Sequence, residues 1–246
     1  MANPGETGTK LLIWDFDGTL AYRRGGMWAA ALVEVIQEAD PGLPVTEAQL
    51  RPYLQAGFPW HSPHLAHPEL APGGVWWRAL EPVLEQALEG AGLALGPARQ
   101  MAARVRDVYV DPGRWRLYDD VVPVLEVLAA EGWVHAVLSN HVPELRALVE
   151  HLGLMPYLSG FFNSAETGYE KPHPVAYRAV LGAFGHPAAV WMIGDSYDVD
   201  VAGAEAVGIR GILVRRADAR AERYCPGLVE VAGIVGSEAG SSLACG

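Results

Sequence analysis

The stretch Leu11-Leu12-Ile13-Trp14-Asp15-Phe16-Asp17-Gly18-Thr19-Leu20 decides the fold, because a short apolar run passes directly into two carboxylates and a glycine. An apolar run of this length is shorter than a typical helix and predicts a buried strand. Open α/β sheets bind their ligands beyond the carboxyl ends of the strands, so we expect chemistry at this point. Gly18 allows a sharp turn and lets a ligand approach its backbone amide.

The two carboxylates at this strand end have a physical consequence. Asp15 and Asp17 are two residues apart, so in extended backbone their side chains point the same way. Two carboxylates aimed at one small space repel each other and need a cation or a shared proton. The structural alternative is a strand followed by an Asp-Gly hairpin turn, and this stretch alone leaves both interpretations open.

Composition limits the classes of protein to consider. The chain has 246 residues, of which 50% are hydrophobic, enough for one large domain or for a core with a smaller inserted domain. The formal net charge of -11 argues against a nucleic-acid backbone or an anionic membrane as partner. Cys225 and Cys245 both lie near the C-terminus and suggest neither a disulfide framework nor a cysteine metal site.

The start of the chain bears on localisation. Residues 1–8 contain neither a basic segment nor the apolar segment of a signal peptide, and no apolar run in the chain reaches membrane-spanning length. These patterns predict a soluble, cytoplasmic protein.

Hydrophobic periodicity divides the chain into two kinds of segment. Residues 21–26 are polar and glycine-rich and predict a hinge, and apolar pairs four residues apart then predict several helices and no strand up to residue 115. From Tyr118 onward, strands alternate with helices, which predicts a parallel sheet with right-handed crossovers. The signal fades beyond Ala217, and the last ten residues are predicted to form a loose tail.

A proline-rich segment at residues 57–68 carries three histidines, His61, His64 and His67. Three histidines this close raise the possibility of a zinc site. The tract is short and has no acidic or cysteine partner at a fixed spacing, which favours an ordinary loop. Such a loop, with Trp60 and His61, could still cover a substrate.

Polar residues follow three of the predicted strands. Asp15 and Asp17 follow the first, Ser139 and Asn140 follow residues 133–138, and Gly194-Asp195 follows residues 189–193. Lys171, one of only two lysines in the chain, precedes a predicted helix. Taken singly, these residues also suit helix caps, turns or a solvated surface. Because parallel strand ends converge at one edge of a sheet, together they predict a catalytic site.

The order and spacing of these groups resemble the haloacid dehalogenase superfamily over about residues 10–215. The first motif is Asp15-Phe16-Asp17-Gly18-Thr19, and the second is Ser139 after an apolar strand. The third is Lys171 within Glu170-Lys171-Pro172, and the fourth is Gly194-Asp195 with a further acid at Asp200. The resemblance implies a Rossmann-like α/β core of residues 1–20 and 116–246 with an inserted all-helical cap of residues 21–115. This is the C1-type arrangement of subfamily I, in its phosphatase-like branch.

The resemblance also implies a reaction, the Mg²⁺-dependent hydrolysis of a phosphate monoester. In this reading Asp15 attacks phosphorus to form an aspartyl-phosphate, and Asp17 serves as general acid and base. Mg²⁺ is held by the Asp15 and Asp195 carboxylates and the Asp17 backbone carbonyl. The phosphoryl oxygens are held by Gly18, Ser139, Asn140 and Lys171. Asp200 supports the metal water or Lys171, with Asp198 as the alternative.

Within the family, the second acid and the lysine content discriminate between reactions. Halide leaves without a proton, so Asp17 favours phosphate transfer over dehalogenation. Residues 21–115 contain no lysine for a Schiff base, which disfavours phosphonate cleavage. The lead hypothesis is a phosphatase for a small phosphorylated metabolite, as a monomer or homodimer. The alternatives are a phosphomutase and a non-enzymatic metabolite-binding or regulatory protein.

The predicted cap would select the substrate by closing over it. Arginines would suit a sugar or carboxylate phosphate, and tryptophans would stack on a nucleotide. Trp76 and Trp77 fall at periodic positions that favour packing within the cap. The candidates for substrate selection are Tyr22, Arg23, Arg24, Trp60, His61 and Arg78.

Overall fold

The computed structural model describes residues 8–71 and 74–241, and its strands form two sheets. The strands are β1 (Lys10–Trp14), β2 (Ala21–Arg23), β3 (Trp115–Leu117), β4 (Trp133–Ser139), β5 (Gly160–Asn163), β6 (Ala189–Gly194), β7 (Arg210–Val214) and β8 (Tyr224–Cys225). Six of them form one parallel sheet in the order β5-β4-β1-β6-β7-β8. The predicted parallel α/β core is confirmed.

The first five α-helices lie in sequence between the two strands of the small sheet, and the remaining helices accompany the strands of the large sheet. They are α1 (Trp28–Ala39), α2 (Glu47–Leu50), α3 (Val75–Gly90), α4 (Leu95–Ala102), α5 (Val105–Tyr109), α6 (Val121–Ala130), α7 (Leu145–His151), α8 (Ser164–Thr167), α9 (Pro174–Ala183), α10 (Gly203–Glu205) and α11 (Val231–Ser241). A π-helical segment, Tyr197–Ala202, runs directly into α10. None of the described helices is both long enough and apolar enough to cross a lipid bilayer.

Strand β1 lies at the centre of the sheet, between β4 and β6. A central parallel strand is covered on both faces, which explains its continuous apolar sequence. Alternate side chains then pack in different layers. Leu12 and Trp14 belong to a cluster with α6, α7 and α11, and Leu11 and Ile13 belong to a cluster with α9. Because β1 is packed on both faces, its position is fixed, and its carboxylates lie at the carboxyl edge of the sheet.

The glycine-rich segment predicted to be a hinge begins with a strand. Residues 21–23 of β2 pair antiparallel with β3, so that Ala21 lies opposite Leu117 and Arg23 opposite Trp115. The partner strand is more than 90 residues away in sequence, which is why local composition did not reveal it. The small sheet joins the two ends of the helical segment, and α1 to α5 lie between them in sequence.

The C-terminal part also differs from the expectation. Helix α11 extends to Ser241, where a loose tail was predicted from residue 237. Val231 and Val235 are fully buried against the core and hold this helix in place. The prediction that no signal segment is present concerns residues 1–8, most of which lie outside the described residues. Cys245 lies outside them as well.

Candidate active site

The ends of β1, β4 and β6 are neighbours in the sheet, and their polar residues meet at one edge. Lys171 Nζ donates to Asp15 Oδ1 at 2.8 Å and to Asp200 Oδ1 at 2.7 Å. Ser139 Oγ lies 3.4 Å from the same Asp15 oxygen. Lys171 is almost fully buried, and although burial lowers its pKa, the Asp15 and Asp200 carboxylates outweigh that effect and raise it. The ammonium group is therefore fixed in its charged form.

The Asp15 side chain is held from several directions. Its backbone N–H donates to the Ile193 carbonyl at 2.9 Å, continuing the pairing of β1 with β6. Thr19 Oγ1 donates to Asp15 Oδ2 at 3.2 Å, while Lys171 occupies Oδ1. Only 7% of the residue is exposed. These contacts fix the orientation of the Asp15 carboxylate at the end of β1.

Three carboxylates form a compact cluster. Asp15, Asp195 and Asp200 each place one oxygen within 4.8 Å of the others. Burial raises the pKa of Asp195 to about 7, and the charges of Asp15 and Asp200 add to the effect. Burial also raises the pKa of Asp200 to about 6, although Lys171 partly opposes it. Crowded oxygen ligands with raised pKa values fit a divalent cation such as Mg²⁺, which prefers oxygen donors.

Gly18 packs directly against this cluster. Its φ of +78° lies in the left-handed region that favours glycine. A Cβ atom at this position would lie 2.5 Å from Asp195 Oδ2, so a larger residue would displace that carboxylate. The glycine of the first motif is thus required by the close approach of two loops.

Asp17 faces His141, a residue that sequence reasoning missed. His141 Nε2 lies 3.6 Å from Asp17 Oδ2, and among the described residues neither His141 Nε2 nor Asp17 Oδ1 has a hydrogen-bond partner. Burial lowers the pKa of His141 to about 3, so the ring is neutral. Burial and the charges of Asp15 and Asp195 raise the pKa of Asp17. The available signal was the position of His141 directly after Ser139-Asn140 at a strand end.

The Asn140 side chain holds the segment that carries Lys171. Its Nδ2 donates to the Lys171 carbonyl at 2.8 Å, and its Oδ1 accepts from the Lys171 backbone N–H at 2.7 Å. Both ends of the amide are therefore engaged with one residue, and the pair fixes the approach of the lysine to Asp15.

The structure separates the two alternatives for the supporting acid. Asp200 is buried, bonds Lys171 through Oδ1 and accepts the Ser196 backbone N–H through Oδ2 at 3.0 Å. Asp198 is exposed and pairs with Arg220 at 2.8 Å on the surface. Asp200 is the acid that is brought to the candidate site.

A cavity of about 310 Å³ adjoins Asp17, and one of the six candidates for substrate selection lines it, Trp60. Arg23 is buried and pairs with Glu34 at 2.9 Å. Arg78 lines a different cavity, beside Trp77. Tyr22, Arg24 and His61 are exposed and are not among the residues that line the cavity. The described residues that do line it are Asp17, Met27, Trp28, Trp60, Tyr109, Asn140, His141 and Val199.

The remaining aromatic and histidine candidates take structural positions. Trp76 and Trp77 are buried and pack against Trp28, with ring centroids 6.4 and 5.9 Å away. Within residues 8–71 and 74–241, the only group of three acidic, histidine or cysteine ligands close enough to share an ion is the Asp15 cluster. The histidines of residues 57–68 form no such group.

Comparison with known proteins agrees with this geometry. The family model described as haloacid dehalogenase-like hydrolase matches residues 9–208. The chain belongs to this family. The predicted membership is confirmed, and with it the expectation that the protein is an enzyme, a hydrolase.

Two curated relatives and one solved structure illustrate the similarity. A phosphoserine phosphatase from Thermus thermophilus is 36% identical over 138 residues, which is 55% of this chain and 54% of that protein, so the match spans about half of the relative. Haloacid dehalogenase-like hydrolase domain-containing protein 3 from Bos taurus is 29% identical over 213 residues, 83% of this chain and 81% of that protein. A magnesium-bound hydrolase of the family from Bacillus subtilis shares the fold at 18% identity, with a TM-score of 0.66 over 93% of this chain and 99% of that one.

Proposed function

We propose that this hydrolase is a Mg²⁺-dependent phosphatase that releases inorganic phosphate from a small phosphorylated metabolite. The observation that carries the proposal is the Lys171 ammonium held between Asp15 and Asp200, with Asp17 nearby on the same loop as Asp15. A buried cation beside a buried carboxylate suits a dianionic phosphate, since charge must be balanced in the transition state. The similarity to a phosphoserine phosphatase from Thermus thermophilus supports a phosphate monoester as the substrate.

The carboxylate cluster fits the proposed metal. Asp15, Asp195 and Asp200 bring their oxygens within 4.8 Å, and the Asp17 backbone lies between Asp15 and Gly18 in the same turn. Asp15 and Asp195 would hold Mg²⁺ through their carboxylates and Asp17 through its carbonyl, with Asp200 as the supporting acid. When bound, Mg²⁺ would offset the repulsion between the phosphate dianion and the attacking carboxylate.

The proposed reaction assigns a role to each of these side chains. An Asp15 oxygen attacks phosphorus while the ester bond to the leaving oxygen breaks. Ser139, Lys171 and the backbone N–H of Asn140 bind the phosphoryl oxygens. The Asn140 side-chain amide is engaged with Lys171, and the Gly18 backbone N–H donates to the Ala21 carbonyl at 2.8 Å. Asp17 donates its proton to the leaving oxygen, and its raised pKa supports that role because it keeps the proton on the acid.

In the second half of the reaction, the Asp17 carboxylate takes a proton from water as that water attacks the aspartyl-phosphate. The phosphorus–oxygen bond to Asp15 breaks, which restores the carboxylate and releases inorganic phosphate. The buried position of Asp15 supports this scheme because it limits the approach of other nucleophiles.

We also propose that residues 21–115 form the cap that closes over the substrate. The cavity beside Asp17 has walls from this segment and from the sheet edge. Trp77 Nε1 donates to Glu144 Oε2 at 3.0 Å, and Arg106 pairs with the same carboxylate at 2.7 Å. These contacts join the helical segment to the loop after β4. The cytoplasmic location, the monomeric or dimeric state and the lack of nucleic-acid or membrane partners stay predictions.

Phosphate release tests the function directly. We would incubate the protein with p-nitrophenyl phosphate and a panel of phosphorylated metabolites, in Mg²⁺ and in EDTA. Asp15→Asn should abolish release, and the matched control Asp198→Asn, which changes an exposed aspartate paired with Arg220, should retain it. Interconversion of substrates without phosphate release would favour the phosphomutase alternative. No turnover of any kind by folded, Mg²⁺-loaded protein would contradict the proposal.

A further inference from the structure

The cavity beside Asp17 is walled by aromatic rings. Trp28 and Tyr109 are stacked, with centroids 4.1 Å apart and planes at 15°. Trp60 lies 5.9 Å from Trp28 and is itself stacked on Phe58 at 4.9 Å. Each ring is braced by another, so the wall is rigid before any ligand arrives. Trp28 and Trp60 are only partly buried and leave part of their surfaces open to the cavity.

Positive charge is missing from this wall. Among its described lining residues there is no lysine or arginine. Arg23, the arginine that follows the first motif most closely in sequence, turns its terminal guanidinium nitrogens to other partners. It pairs with Glu34 at 2.9 Å and donates to the carbonyls of Gly26 at 2.8 Å and Val108 at 3.0 Å, with no side-chain exposure.

The polar atoms that do reach the cavity are few, and one is acidic. They include the Asp17 carboxyl group and the unpaired Nε2 of the His141 ring. An anionic group placed here would lose water without gaining a cationic partner among these lining residues. The Lys171 ammonium is assigned to the phosphoryl oxygens and is not among the described residues that line this cavity.

Size sets a further limit. A volume of about 310 Å³ lies at the small end of the range for small-molecule sites, roughly 300 to 1,000 Å³. One ring system with a short link to the phosphate fits such a space. Aromatic walls favour a planar ring, since ring pairs gain from offset or edge-to-face contact beyond the area that they bury.

We propose that the substrate is a monophosphate whose leaving group is uncharged and carries a planar ring that packs against Trp28 and Trp60. This inference rests on the proposed phosphatase function and names the substrate class of the same site. A substrate with a second anionic group, or an amino acid phosphate with its carboxylate, is disfavoured.

Matched substrates test the inference without changing the chemistry at phosphorus. Benzyl phosphate and cyclohexylmethyl phosphate have similar size and leaving-group basicity, but only the first has a planar ring. The compound 4-carboxybenzyl phosphate adds a charge to that ring. We expect kcat/KM for benzyl phosphate to exceed the values for the saturated analogue, 4-carboxybenzyl phosphate and O-phosphoserine, each by about tenfold or more, the scale of one favourable pocket contact or one unpaired charge.

Variants of Trp60 test whether a preference for benzyl phosphate comes from the aromatic residues of the cavity. Trp60→Leu should lower kcat/KM for benzyl phosphate about tenfold, with a smaller loss for methyl phosphate, and Trp60→Phe should retain most of the preference. Tyr224→Leu, which removes an exposed aromatic residue in β8 away from the cavity, should change neither value.

The outcomes separate this inference from the proposed function. Hydrolysis of methyl phosphate and O-phosphoserine with no preference for benzyl phosphate would overturn the inference and leave the phosphatase function intact. A preference for benzyl phosphate that survives Trp60→Leu would also overturn it. No Mg²⁺-dependent phosphate release from any of these compounds would overturn the function and the inference together.

Discussion

The Nε2 atom of His141 lies 3.6 Å from Oδ2 of Asp17, and burial keeps the imidazole neutral. The ring is held in place by Phe16, 5.6 Å away edge-on, and by Trp115 at 5.3 Å. The Nδ1 atom lies 3.4 Å from the Val142 carbonyl oxygen, which can only accept, so the neutral ring carries its proton on Nδ1. Its Nε2 lone pair then faces Asp17 and would orient the protonated carboxyl group as an acceptor. His141 is then a positioning residue for the proposed general acid.

A change at His141 should therefore affect turnover more than binding. We expect His141→Ala to lower kcat about tenfold to a hundredfold while KM changes little. Loss of the general acid itself should cost more, about a hundredfold or above. His141→Gln places an amide near the same position and should recover part of the loss. Equal kcat values for wild-type and His141→Ala protein, measured with Mg²⁺ at saturating substrate, would contradict the assignment.

Gly18 offers a test of the close approach to Asp195. Gly18→Ala should weaken Mg²⁺ binding about tenfold or more, because a Cβ would lie 2.5 Å from Asp195 Oδ2 and displace it. Gly153→Ala is the matched control, since Gly153 has a φ of +74° but has no atom within 4 Å of the added Cβ. Both variants carry the same backbone strain. Calorimetric titration with Mg²⁺ should therefore show a loss in the Gly18 variant alone.

The two lysines of the chain form a natural pair for a stability test. Lys171→Met leaves the buried Asp15 and Asp200 carboxylates without their cation and should lower the free energy of unfolding by about 3 kcal/mol. Lys10→Met removes a half-buried lysine that donates to the Glu131 carbonyl and lies over the Trp133 ring, and the loss should stay below about 1 kcal/mol. Urea unfolding in EDTA measures both. Equal losses would show that the buried pairing adds little stability.

The raised pKa values of Asp195 and Asp200 predict how stability and metal binding depend on pH. Without metal, the pKa is about 7 for Asp195 and about 6 for Asp200 in the folded protein, whereas the ordinary pKa of an aspartate is 3.8. The folded state therefore binds more protons than the unfolded state between about pH 4 and pH 7, so these groups lower stability as pH rises through that window.

Mg²⁺ competes with those protons, so its affinity should increase about tenfold or more from pH 5 to pH 8. The rise in melting temperature caused by Mg²⁺ should accordingly be larger at pH 8 than at pH 5. Asp195→Asn should remove most of that rise at both values. A rise that does not vary with pH would contradict the raised pKa values as the controlling factor.

Glu144 links the helical segment to the sheet edge through Trp77 and Arg106. Glu144→Gln should weaken closure of the proposed cap and raise KM about threefold to tenfold, because a charged bond to Arg106 is lost. Glu150→Gln alters an exposed glutamate near the end of α7 and should leave KM unchanged. Unchanged KM in both variants would show that this contact does not control closure.

Much of the site was predictable from local sequence. Apolar runs that end in Asp15, Ser139 and Asp195 indicate strands whose carboxyl ends converge, because a parallel sheet aligns them. Lys171 is one of only two lysines in the chain, which marked it as a candidate for a specific role, and the structure buries it between two carboxylates. These features depend on periodicity and on residue type, and both are visible along the chain.

Other features were decided only by the tertiary structure. Arg23 was a candidate for substrate recognition, but Glu34 and the distant Val108 carbonyl satisfy its charge within the fold. Asp200 rather than Asp198 reaches Lys171 because the π-helical turn buries one and exposes the other. Trp28 and His141 line one cavity because Tyr109 of α5 stacks on Trp28 and also lies 6.2 Å from the His141 ring. Sequence determines where a chain turns and what it buries, whereas the choice of partner depends on which distant segments the packed core brings together.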